Sequence, residues 1–103
     1  MVVNFSIRVV MHGATWAQYA QLAANLAKVG IVDEITADNG ARYKLPDAEY
    51  VFAGAANLTA ENVRAHVQAE VNKITVKSAV YVTQGVTRAW SGLPVVSAAA
   101  KRA

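Results

Sequence analysis

The chain contains no cysteine, so it can build neither a disulfide framework nor a thiolate metal site. That composition fits a reducing compartment, and the expected location is the cytoplasm. Only two prolines occur, Pro46 and Pro94, and both lie beside breaks in the apolar pattern, where a fixed φ and a missing N–H do no harm. Charged residues are scarce at 17% against 54% apolar, a balance on the folded side of the boundary with disorder. No apolar run approaches the roughly 20 residues of a membrane span. The start, MVVNFSIRVV, lacks the charged head and unbroken apolar centre of a signal peptide, and no membrane partner is expected. Acidic residues number 7 against 10 Lys and Arg, for a net charge of +3. This favours a polyanionic partner mildly and falls short of the strongly basic signature of many nucleic-acid binders.

At 103 residues the chain has room for one hydrophobic core. Residues 1–93 read as a single domain and 94–103 as a flexible, small-residue tail carrying Lys101 and Arg102. Phe5, Ile7, Val9 and Met11 alternate with Asn4, Ser6 and Arg8, the period of a half-buried strand. His12-Gly13 ends that strand. Thr15 and Gln18 then have the spacing of a capping box for a first helix, which Gly30 terminates. Trp16, Tyr19, Ala20, Ala23, Leu26 and Ala27 fall on one face of it.

The stretch Ile31–Gly54 holds two apolar runs, residues 31–37 and 49–54, around a polar segment. Asn39-Gly40 supplies the positive φ of a tight reversal, and Pro46 fixes φ where the chain re-enters the second run. Between them, Ala41-Arg42-Tyr43-Lys44-Leu45 reads either as a projecting basic loop or as a short strand pair. Thr59 is the candidate N-cap of a second helix, whose apolar stripe is Val63, Val67, Val71 and Ile74. Val76, Val80 and Val82 alternate with Lys77, Tyr81 and Thr83 in a last long strand, followed by a strand-like fragment over residues 86–90.

The order strand, helix, strand, strand, helix, strand has one economical packing. It predicts an α+β, ferredoxin-like βαββαβ domain, an antiparallel four-stranded sheet with both helices on one face. The other face is then open to RNA, to a second copy or to a partner protein, and fold alone does not choose among them.

Ile35-Thr36-Ala37-Asp38-Asn39-Gly40, Leu45, Tyr50-Val51-Phe52-Ala53 and Leu58-Thr59-Ala60-Glu61 together resemble the GhoS family, the endoribonuclease antitoxins of type V toxin–antitoxin systems. Arg88-Ala89-Trp90-Ser91-Gly92-Leu93 is similar to a segment of related phage and prophage proteins. The resemblance implies a ferredoxin-like fold and cleavage of a toxin messenger RNA. Related nucleases of that fold hold a metal with an aspartate at the end of the first strand, where Met11-His12 stands here, and the first helix has no arginine or histidine. Any cleavage is therefore expected to be metal-independent, and no cofactor is implied. The alternative is a non-enzymatic protein-binding module or inhibitor encoded by a phage or mobile element.

His12, at a strand end beside a helix N-terminus, is the candidate catalytic base for activating a 2′-hydroxyl, with a solvated loop histidine as the plainer reading. His66 reads as a boundary residue of the second helix. Arg42, Tyr43 and Lys44, with Arg8 on the open face, are the candidate RNA-binding residues, because cations neutralise phosphates while an aromatic stacks on a base. Arg88 and Trp90 are candidates for an interface, including that of an expected homodimer, or for packing within the chain. Asp33, Glu34 and Asp38 give no coherent metal signal, since adjacent carboxylates on a strand point to opposite faces.

Overall fold

The alternation at the start of the chain sorts the first strand, β1 (Val2–Met11), into two faces. In the computed structural model, which describes residues 2–85 and 89–97, Phe5, Ile7, Val9 and Met11 are all buried, while Ser6 and Arg8 stand exposed on the opposite side. Seven further elements follow: α1 (Trp16–Ala27), β2 (Glu34–Thr36), β3 (Arg42–Lys44), β4 (Glu49–Ala55), α2 (Ala60–Asn72), β5 (Ser78–Gly85) and β6 (Val95–Ser97). β1 is the central strand of an antiparallel sheet ordered β4-β1-β5. Its register sets Phe5 opposite Phe52 and Arg8 opposite Glu49 on one side, and Ile7 opposite Val82 and Arg8 opposite Tyr81 on the other.

Both helices begin as their sequences dictate. Thr15 and Thr59 each accept a bond from the backbone N–H three residues on, and their own backbone N–H groups donate to the side-chain oxygens of Gln18 and Asn62. Val63, Val67 and Val71 of α2 are buried as one stripe with the inward row of β1, and Leu22 and Leu26 of α1 join the same core. The apolar face of α1 is thus rotated from the one that its alanines suggest: Trp16 is 76% exposed and Ala20 and Ala27 face outward. Two leucines bury more apolar area than several alanines, and they decide the orientation. The Tyr19 hydroxyl, accepting from the Met11 N–H at 2.8 Å, ties this helix to the end of β1.

The expected ferredoxin-like arrangement, a single four-stranded sheet with two helices on one face, is not what the chain forms. It makes two separate three-stranded antiparallel sheets, β4-β1-β5 and β2-β3-β6. The cause is local. The Gly40 N–H donates to the Ala37 carbonyl at 2.9 Å, the Ala37 N–H to Ala41 at 2.8 Å, and Gly40 takes a φ of 89°. This turn folds β2 straight back onto β3, and the Leu45 N–H takes the Asp33 carbonyl at 2.9 Å. β2 is thereby tied to β3 along one edge, within a hairpin of its own. Among the described residues β2 forms no ladder with β4; Val32, just before β2, makes an isolated bridge to it through reciprocal bonds with Val51 of 3.0 and 2.8 Å. The free edge of β3 takes up β6, helped by a 2.9 Å bond from the Lys44 N–H to the Pro94 carbonyl. Residues 95–97, inside the segment read from the sequence as a tail, are thereby paired to β3.

Among the described residues no helix is long and apolar enough to cross a membrane. Gly54, buried near the end of β4, sits where a Cβ would meet Leu58 Cδ1 and Phe52 Cε2 at 2.7 Å. Gly54→Ala is expected to cost about 1–3 kcal/mol through overpacking, read as a lower urea midpoint at unchanged slope. An unchanged midpoint would show that Leu58 and Phe52 yield without strain.

Candidate functional site

The face of the larger sheet that carries Arg8 is left uncovered by the helices, and the second sheet stands along its side. Between them lies a cleft of about 410 Å³, within the range of small-ligand sites of about 300–1,000 Å³. Its floor is the outward row of three strands, including Arg8, Glu49, Tyr81 and Thr83, and Ile35, Leu45 and Trp90 form its wall. Period-two geometry creates this floor: the same alternation that buries Ile7 turns Arg8 outward, and the register sets Glu49 and Tyr81 on either side of it. Tyr81 is 70% exposed, an unusual position for an aromatic ring in mid-strand.

Each of the three basic residues marked as RNA-facing in the sequence has an acidic partner. Arg8 Nη1 donates to Glu49 Oε1 at 2.8 Å, Arg42 lies 3.3 Å from the Glu34 carboxylate, and Lys44 Nζ lies 3.4 Å from Asp33 Oδ2. Ion pairs at this exposure contribute about 0–1 kcal/mol, so an incoming phosphate can draw these cations away at small cost. Asp33 and Glu34, considered as metal ligands from the sequence, are occupied in these pairs. Among the described residues no three acidic or histidine side chains gather into a cation site. Tyr43 does not project freely. Its ring packs on Trp90 with centroids 5.7 Å apart and planes tilted by 57°. Trp90, a candidate interface residue, therefore makes a contact within the chain and walls the cleft, while Arg88 lies outside the described residues.

Beneath the cleft, Tyr50 is 3% exposed. Burial, then the charge of Asp33, then Tyr19, push its phenol up to about 12, so it stays a neutral hydroxyl at any physiological pH. Arg8 and Tyr50 also line a second groove of about 600 Å³, which runs along α1 past Ala20 and Ala23 to Trp16 and includes Lys44 and Asp47. A third, apolar cleft of about 230 Å³ lies over Phe52, Leu58 and Val63, with His66 at its rim.

His12 is exposed in the turn after β1, where its backbone N–H donates to the Lys77 carbonyl at 2.9 Å. It is not among the side chains that line these three clefts. His66 lies over Phe52, the partner of Phe5, and from Phe5 to His12 the strand advances roughly 23 Å. The two imidazoles therefore do not form an acid–base pair. Arg8, Trp90 and the Tyr43 ring that leans on Trp90 come together at the cleft; Arg42 stays on the exposed side of its hairpin, and His12 stands apart. Tyr81 and Glu49 were missed in the sequence reading, although the parity that turned Arg8 outward also marks Tyr81. Set against protein-family models, curated proteins and solved structures, the chain matches none.

Proposed function

We propose that this protein binds single-stranded RNA in the cleft between its two sheets. The observation that carries the reading is the row Glu49, Arg8, Tyr81 across the uncovered face, with Trp90 as its wall. An exposed aromatic ring beside a guanidinium is the combination that stacks a base while holding the adjoining phosphate. Lys44 and Arg42, released from carboxylates worth little as partners, extend the positive track. The GhoS-like motifs support RNA as the polyanion and a toxin messenger as the target. Binding is the property these groups support best. Strand cleavage, implied by the resemblance and assigned to His12, would need the bound strand to reach a residue outside the cleft.

The test is fluorescence anisotropy with a labelled single-stranded RNA. Three phosphate contacts, at a slope of about −0.7 each, predict that affinity falls about 20-fold between 50 and 200 mM salt. Tyr81→Ala should weaken binding by about 1–3 kcal/mol. Arg42→Ala combined with Lys44→Ala should weaken it and flatten the salt dependence while the circular dichroism spectrum is unchanged. His12→Ala should leave affinity within about twofold, since the residue lies outside the cleft. RNA binding that is absent, or indifferent to both salt and Tyr81, would overturn the proposal and favour a protein-binding module.

A further inference from the structure

The Arg8–Glu49 pair has more hydrogen-bonding capacity than it uses. One bond, from Arg8 Nη1 to Glu49 Oε1, joins the two side chains. Among the described residues, Arg8 Nη2 and Nε and Glu49 Oε2 make no other bond. The pair is partly open, with side-chain exposures of 60% and 35%, and Tyr81 stands next to Arg8 on the neighbouring strand. An unused donor fork beside an unused acceptor, next to a free aromatic face, is a surface for reading one base edge rather than a surface for phosphate alone.

We infer that the cleft selects guanine. This rests on the RNA-binding reading above and adds to it a choice of base. A carboxylate oxygen can only accept, so Glu49 favours a base that presents donors. Of the four bases, only guanine offers two adjacent donors, N1–H and N2–H₂, next to an acceptor, O6. Glu49 takes the donors, one of the five N–H groups of Arg8 donates to O6 while others remain for the adjoining phosphate, and Tyr81 stacks on the ring. Uracil offers one donor, N3–H, flanked by O2 and O4, so it gives Glu49 a single bond and sets a carbonyl oxygen against the second carboxylate oxygen. Cytosine and adenine each offer Glu49 only one exocyclic amino group. The negative charge of Glu49 works against phosphate binding, so its place in the floor of an RNA cleft is accounted for by selectivity rather than by affinity.

The probes are octauridylate, the same strand with one central guanosine, and the same strand with one central inosine, which lacks the N2 amino group. The guanosine strand is expected to bind about tenfold tighter than octauridylate, with the inosine strand between them. Glu49→Gln should abolish most of that preference, bringing the guanosine and inosine strands to within about twofold of octauridylate measured on the same variant. A residue with only a structural role would lower affinity for all three strands together. Equal affinity for the three strands in the wild type would overturn the guanine inference and leave RNA binding standing. No measurable binding of any of them would overturn the RNA-binding reading and the inference with it.

Discussion

Phe5→Ala is expected to remove about 3–5 kcal/mol of stability, a large share of the roughly 5–15 kcal/mol that holds a domain of this size together. Phe5 is completely buried in the middle strand, and its ring stacks on Phe52 with centroids 6.2 Å apart and planes 23° from parallel. The cavity left behind cannot readily collapse, because β1 is hydrogen-bonded on both sides and its register is fixed by two partners. Three residues along, Arg8→Ala should cost less than about 1 kcal/mol, since it loses a surface ion pair and no core volume. Urea unfolding followed by far-ultraviolet circular dichroism measures both. A Phe5→Ala penalty below that of Arg8→Ala would mean that the two faces of β1 have been assigned the wrong way round, and the cleft with them.

That contrast of faces was legible in the sequence. Phe5, Ile7, Val9 and Met11 announced a buried row and Arg8 an open one, and both threonine caps and the valine stripe of α2 could be read from spacing alone. Sheet membership was not. Whether residues 31–37 continue along β4 or fold back onto residues 42–44 depends on which backbone partner is nearer, and the Asn39-Gly40 turn supplies one within five residues. Local chemistry reads as a reversal and residues 41–45 as a loop or a short strand pair, and the pair is what forms; that it belongs to a second sheet is not written in it. The α1 face is legible in half: Tyr19, Ala23 and Leu26 of the six residues that share a face by spacing do pack inward, while Leu22 turns the helix so that Trp16, Ala20 and Ala27 face out. At the cleft, Arg8 could be found from parity. Its neighbours Glu49 and Tyr81 are 41 and 73 residues away in the chain and become neighbours only through register. No single-sequence pattern encodes that pairing. The same holds for Tyr43 and Trp90, which meet because β6 closes the second sheet next to them.

Between about pH 10 and pH 12 the folded protein is expected to lose stability through Tyr50 alone. Its phenol is raised to about 12 in the folded chain, from 10.0 for the unperturbed group. Below pH 10 both states carry the proton, and the contribution is fully present. As pH rises further, the unfolded chain ionises and the folded chain resists, because burial penalises the phenolate and Asp33 repels it, so unfolding releases a proton and is favoured. The loss amounts to about 1.4 kcal/mol at pH 11 and tends to about 2.7 kcal/mol above pH 12. Tyr50→Phe keeps the ring and removes the titration, so the difference between wild type and Tyr50→Phe isolates this residue. Urea midpoints should run parallel up to pH 9 and then diverge, with the wild type falling faster. Asp33→Asn should retain most of the divergence, since burial is the larger cause and the Asp33 charge the smaller. Curves that stay parallel to pH 12 would mean that water reaches the Tyr50 hydroxyl through the clefts on either side of Arg8.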